Sequence, residues 1–326
     1  MRVLVTGATG FLGGRLVRYL GARGFESVGL GRDEARCRTL QDAGFTTVRA
    51  DLSYSALHLA GSIGRVDAVV HCAALSAPWG RLAAFRAANV EGTRNALDLA
   101  DALGARRFVN ISSPTVYFEM KDKIAVAEAA PLPRPINAYA RTKAEAEQLV
   151  LARPELGPVN LRPRGIYGAG EETLLPRLIA AARRGPLPLL RSGGAAIDLT
   201  HVDDVVAAIE VALSAGPVVE GETFNISGGD MVRVHDLVER VCSALAVPLR
   251  WKRVPFYPAL MLARLAEIAS LARPVPKEPV VTPYTLGLFA FRQSLDISKA
   301  RRMLGWEPRI SLDDGLAMAL GGRRGP

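Results

Sequence analysis

Residues 2–13, Arg2-Val3-Leu4-Val5-Thr6-Gly7-Ala8-Thr9-Gly10-Phe11-Leu12-Gly13, decide the fold. The apolar run Val3–Val5 enters a glycine turn with GxxGxxG spacing. The residues after it place Leu12, Leu16, Val17 and Leu20 at helical intervals. Strand, glycine turn and helix in that order set backbone N–H groups at a helix N-terminus, where an anion binds. Gly7 allows the tight turn, Gly10 lets the backbone approach a pyrophosphate, and Gly13 lets the helix lie close to the strand. Thr9, Phe11 and Leu12 complete the turn. The stretch therefore predicts a dinucleotide site rather than an ordinary strand-to-helix connection.

Working outward, short apolar runs over 2–5, 27–30, 47–50, 68–72 and 107–111 alternate with helical patterns, the longest over 82–103. Continuous apolar strands between helices predict a parallel sheet covered on both faces, the doubly wound α/β (Rossmann) arrangement. Its ligands bind outside the carboxyl ends of the strands. After about residue 161 prolines cluster and loops lengthen, which predicts a smaller C-terminal substrate region. The division expected is 1–164 for the dinucleotide-binding domain, with return segments at about 199–228, and 165–326 mainly for substrate.

The chain has 326 residues, 49% apolar and 22% charged, as in a folded globular enzyme. Lys and Arg number 41 against 32 Asp and Glu, a formal net charge of +9. The excess is mostly arginine spread along the chain. It forms no basic run with interleaved aromatics, so nucleic-acid binding is not expected. Cys37, Cys72 and Cys242 stand far apart, without metal-ligand or disulfide spacing. No metal site and a reducing, cytoplasmic setting are expected. The N-terminus reads as strand rather than signal peptide, and no apolar run is long enough for a transmembrane span.

A dinucleotide site usually has an acid about 20 residues beyond the glycine turn, held to the ribose hydroxyls. The second strand here ends Leu30-Gly31-Arg32-Asp33, so glycine stands where the acid is expected and arginine follows. Arginine suits a 2′-phosphate, which favours NADP(H) over NAD(H). Asp33 as ribose ligand, or Arg32 stacked on adenine, are the alternatives.

Tyr139 and Lys143 stand at i and i+4 in YARTK, on one face of a predicted helix. An ammonium beside a phenol favours the phenolate, which predicts a lowered Tyr139 pKa and a usable acid or base. Ser113 follows the strand over 107–111, at the end where such sheets bind ligands, and is placed to polarise a carbonyl. A surface tyrosine and a turn serine are the bland readings.

Together these stretches resemble the extended short-chain dehydrogenase/reductases, which include the NAD-dependent epimerases and dehydratases. TGATGFLG resembles the family's cofactor turn. Asp51-Leu52 looks like its adenine dipeptide, and His71-Cys72-Ala73-Ala74 its strand-four end. Asn89 in NVEGT, Ser113 in SSPTVY, Tyr139 and Lys143, and LRPRGIYG over 161–168 match further motifs. The resemblance implies hydride transfer between nicotinamide and a carbonyl or carbinol carbon. It implies Tyr139 as acid/base, Lys143 on the nicotinamide ribose, and Ser113 on the reacting oxygen. Ala73 and Ala74 would line the pyrophosphate, Pro163 and Ile166 the nicotinamide, and Asn89 would support the site.

Departures from the sugar-nucleotide pattern narrow the branch. Ile197 stands where those enzymes carry an arginine for the diphosphate, Ser76 where some epimerases have lysine, and Phe118 replaces a glycine. The proline-punctuated apolar stretch over 256–291 resembles the 3β-hydroxysteroid dehydrogenase and 2-alkyl-3-oxoalkanoate reductase branch. A lipophilic β-keto or β-hydroxy substrate is expected. Most of that stretch is expected to pack as core, with peripheral membrane contact the alternative. A nucleotide-sugar 4-epimerase or dehydratase and a non-catalytic dinucleotide sensor are the rival readings. Relatives suggest a homodimer through the helices over 82–103 and 139–151. Asp203-Asp204 is expected to cap the following helix, His201 to be structural, and Arg164, Tyr167 and Arg177 to line the substrate entrance.

Overall fold

The computed structural model describes residues 1–275 and 277–321. Pro276 and the end of the GGRRGP tail lie outside them. Strand β1 (Arg2–Thr6) lies inside a seven-stranded parallel sheet. It pairs with β2 (Glu26–Gly31) on one side and β4 (Ala68–His71) on the other. Beyond β2 lies β3 (Thr46–Arg49). Beyond β4 come β5 (Arg107–Ile111), the strand Pro158–Pro163 and the strand Glu222–Ile226. The chain reverses its direction of travel across the sheet between β1 and β4, which opens a crevice at their carboxyl ends.

The two-residue period of β1 explains why its whole sequence is apolar. Val3 and Val5 pack into one core with Leu16, Val17 and Leu20 of helix α1 (Phe11–Ala22). Leu4 points the other way, into a second core with Leu97, Leu99 and Phe108. The last strand enters the main sheet from far along the sequence, with Glu222 opposite Val159. A smaller sheet draws on both halves of the chain, in the order Met231–Arg233, Ala196–Asp198, Arg292–Leu295, Lys123–Val126.

Several sequence expectations need correction. Residues 82–102 are helical throughout, but not as one regular α-helix: a π-helical turn, Arg86–Glu91, separates Leu82–Phe85 from Gly92–Ala102. The cap of helix Val202–Ser214 is neither aspartate. His201 takes that place, its Nδ1 accepting from the Asp203 backbone N–H at 3.3 Å. Asp203 instead pairs with Arg15, and Asp204 accepts the backbone N–H groups of Arg309 and Ile310.

The helix Phe256–Leu271 does not pack as core. Only Leu260, Ala263 and Ser270 are buried in it, because a single side has a partner. That partner is a small apolar cluster of Leu190, Leu286, Ala290 and Phe291. No described helix is long and apolar enough to cross a membrane.

Candidate active site

The glycine turn, the ends of β2 and β4, and the loops beyond them enclose a cleft of about 550 Å³. Gly7, Thr9, Gly10, Arg32, Asp51, Leu52, Ala73 and Ala74 all line it. Gly7 has φ +68°, and a Cβ on Gly13 would meet the Gly7 carbonyl oxygen at 2.2 Å. Helix α1 can therefore approach β1 only as glycine. Its first turn has no side-chain cap, so its N–H groups remain available to an anion. Leu12 points into the core, which leaves only its backbone to serve the cleft. Phe11 packs beside that core. These features fit a dinucleotide: a cradle that side chains would fill, free helix N–H groups and cationic ends.

The space beside Gly31 is closed. A Cβ there would lie 2.4 Å from Thr9 Cγ2, so any side chain at this position requires Thr9 to shift. Arg32 sits 3.8 Å from Asp51 and is largely exposed. Asp33 is engaged as the N-cap of helix α2 (Glu34–Asp42), accepting the Arg36 backbone N–H at 3.0 Å. Arg36, which the sequence reading missed, also lines the cleft. It donates to the Thr9 carbonyl at 3.2 Å and pairs with Glu172.

The π-turn carries Asn89 to the opposite wall. Its side chain accepts from the Leu75 backbone N–H at 2.7 Å and donates to Thr142 at 3.0 Å. It thus ties the loop after β4 to the helix Ala138–Leu151, which bears Tyr139 and Lys143. His71 is locked between Thr6 and Thr93, and burial holds it down to about 3, so it is neutral and structural. Burial pushes the neighbouring Cys72 thiol up to about 12; all three cysteines are free.

Lys143 is buried and donates to the Ile111 carbonyl at 2.6 Å, at the end of β5. Burial pulls its pKa down to about 8, against the opposing charge of Glu147 one turn on. Glu147 itself holds Arg162 through two hydrogen bonds of 2.7 and 2.5 Å, and Arg162 also reaches the Tyr117 hydroxyl. The expected lowering of Tyr139 is not found. Burial raises its pKa, and the hydroxyls of Ser113 and Ser76 only partly offset this. Lys143 is directed at the Ile111 carbonyl and does not figure among the groups acting on Tyr139.

Ser113 opens a short 3₁₀ turn and shares a hydrogen bond with Thr115 at 2.9 Å. Thr115 in turn meets the hydroxyl of Tyr284 at 3.3 Å. Tyr284 belongs to the helix Pro283–Leu288 and stands edge-on to Phe118, with ring centroids 5.0 Å apart. Ser76, Thr115 and Tyr284 thus join the site. Ser76 was noticed only as a departure from a motif, and nothing local marks Tyr284. Pro163 ends its strand buried, and Ile166 is half-buried in a two-residue strand beside Thr200.

The residues expected at the entrance are each engaged with other residues of the chain. Arg164 is buried against Asp198 and Gln293. Tyr167 is buried against His201 and beside Gly315. Arg177 is paired on the surface with Glu278 at 3.0 Å.

Residues 3–227 match the family model described as "NAD dependent epimerase/dehydratase family". The chain belongs to that family, the extended short-chain dehydrogenase/reductases, and is a nicotinamide-dependent oxidoreductase of that group. Two curated relatives match along nearly their whole lengths. YbjS of Escherichia coli (strain K12), an uncharacterized protein, is 34% identical over 329 residues, 97% of this chain and 96% of its own. The 2-alkyl-3-oxoalkanoate reductase of Stenotrophomonas maltophilia (strain K279a) is 33% identical over 326 residues, 97% of each chain. Among solved structures, MoeE5 in complex with UDP-glucuronic acid and NAD superposes with a TM-score of 0.77 at 28% identity, covering 99% of both chains.

Proposed function

We propose that the protein is an NADP(H)-preferring ketoreductase that interconverts the carbonyl and carbinol of a lipophilic β-keto or β-hydroxy substrate. The observation that carries this reading is the Ser113–Thr115–Tyr284 chain of hydroxyls. Through it the segment over 256–291 reaches the catalytic groups, with the Tyr284 ring set against Phe118. Aromatic rings beside a few hydroxyls suit an apolar substrate. The 33% identity to a 2-alkyl-3-oxoalkanoate reductase supports the same substrate class. Ile197, in place of a diphosphate-binding arginine, speaks against a sugar nucleotide.

The bound nicotinamide would supply or accept the hydride at the reacting carbon. Ser113 holds the carbonyl oxygen, and Tyr139 donates its phenolic proton to that oxygen in reduction and recovers it in oxidation. The raised pKa of Tyr139 keeps it protonated near neutral pH, which suits the donor role. Lys143 would hold the nicotinamide ribose. Arg32 and Arg36 would meet a 2′-phosphate; glycine in place of an acid at position 31 supports this preference. The test is NADPH oxidation with 2-alkyl-3-oxoalkanoates, set beside UDP titration. Turnover with the keto acids supports the reading; tight UDP binding without such turnover favours a sugar-nucleotide enzyme.

A further inference from the structure

The helix Phe256–Leu271 is apolar on nearly every side, yet only one side is covered. A helix of this kind is ordinarily enclosed by protein or by lipid. On the open side Tyr257, Met261, Leu265 and Ile268 recur at intervals of three and four residues. Tyr257 is 77% exposed, Leu265 58% and Ile268 66%. The apolar surface continues along the following segment through Val275 and Val280.

Cations frame this stripe. Lys252 and Arg253 precede the helix, Arg264 stands within its exposed face, and Arg273 and Lys277 follow it. Among the described residues none of these five side chains has a salt-bridge partner, and the nearby Glu278 is already held by Arg177. The helix has one carboxyl of its own, Glu267, which is half-buried.

We propose that this face docks on an anionic lipid bilayer, with the stripe from Tyr257 to Ile268 in the interface and the flanking cations on the headgroups. The composition fits a helix lying in the interface plane: apolar side chains enter the acyl boundary while lysine and arginine stems extend to the phosphates. A second copy of the chain suits the face less well. Cations stand at both ends and in the middle, so either a parallel or an antiparallel pairing of two such helices brings like charges together. The proposal is independent of which substrate the enzyme reduces.

Co-sedimentation of the full chain with phosphatidylcholine vesicles, with and without phosphatidylglycerol, tests it. Binding is expected to the vesicles that contain phosphatidylglycerol and to weaken in high salt. Lys252→Glu with Arg253→Glu should lower partitioning about tenfold or more. Leu265→Glu with Ile268→Glu should abolish it while melting temperature and NADPH binding stay unchanged, since both side chains are exposed. Wild-type protein that remains in the supernatant with both vesicle types overturns the proposal. So does a Leu265→Glu/Ile268→Glu protein that sediments like the wild type. Loss of a dimer in that variant, without vesicle binding by the wild type, would assign the face to a second copy instead.

Discussion

The ammonium of Lys143 donates to the main-chain carbonyl of Ile111 at 2.6 Å, so a charged side chain is held inside the protein at the carboxyl end of a central strand. Burial lowers its pKa from 10.5 to about 8. The unfolded chain therefore binds more protons than the folded one between those values, and stability rises with pH across that window. Below pH 8 the full penalty is present, on the order of 3 kcal/mol. Lys143→Met should then be more stable than the wild type at pH 7, by about 1–3 kcal/mol, and the gap should close by pH 10.5. Thermal melts of both proteins across that range check it. The same variant should lose turnover, as a stabilising change in a functional site often does.

Glu147 stands behind Lys143 and neutralises the buried Arg162. Glu147→Gln leaves that guanidinium without its counter-charge, which costs about 3–5 kcal/mol. It also removes a negative charge that supports the protonated lysine, so the lysine pKa should fall further. Denaturant unfolding reads the first effect and the pH profile of cofactor binding the second.

Much of the fold was legible because the inner strands of its main sheet are buried on both faces. The pattern over 107–111 matches the observed strand residue for residue, and the strand Glu222–Ile226 falls within the return segments expected at about 199–228. The glycine turn was equally legible, since Gly7 and Gly13 occupy positions that no side chain fits. Charge environments were less so. The pairing of Tyr139 with Lys143 suggested a lowered phenol pKa, but Lys143 is turned to the Ile111 carbonyl and burial raises the phenol, and local spacing reports neither. Tyr284 was invisible because its partner Thr115 lies 169 residues away. The helix Phe256–Leu271 misled in the other direction: apolar residues predict burial only when something lies against them.

The closed space at Gly31 makes a double-variant test of cofactor choice. Gly31→Asp alone should destabilise by about 1–3 kcal/mol, because its Cβ collides with Thr9. Adding Thr9→Ala removes the colliding atoms and should restore stability while shifting preference toward NADH. Arg32→Ala should weaken NADPH by about tenfold to a hundredfold and NADH far less. Fluorescence titrations with both cofactors measure these differences.

Tyr284→Ala removes the hydroxyl that meets Thr115 and the ring set against Phe118. KM for a long-chain substrate should rise about tenfold, from lost apolar contact and one lost hydrogen bond, while NADPH binding is unchanged. Steady-state kinetics over a series of chain lengths separate this from a general loss of activity. An unchanged KM throughout would place Tyr284 outside the substrate site.

The most direct measurement is single-turnover reduction of a 2-alkyl-3-oxoalkanoate by NADPH, comparing the wild type with Tyr139→Phe. The wild type should reduce the substrate. The variant should be slower by about a hundredfold to ten-thousandfold, the usual worth of a positioned proton donor, with NADPH binding intact. Undiminished reduction by Tyr139→Phe would contradict the role given to the phenol. A wild-type enzyme inert toward β-keto acids but able to epimerise a UDP-sugar would contradict the substrate class.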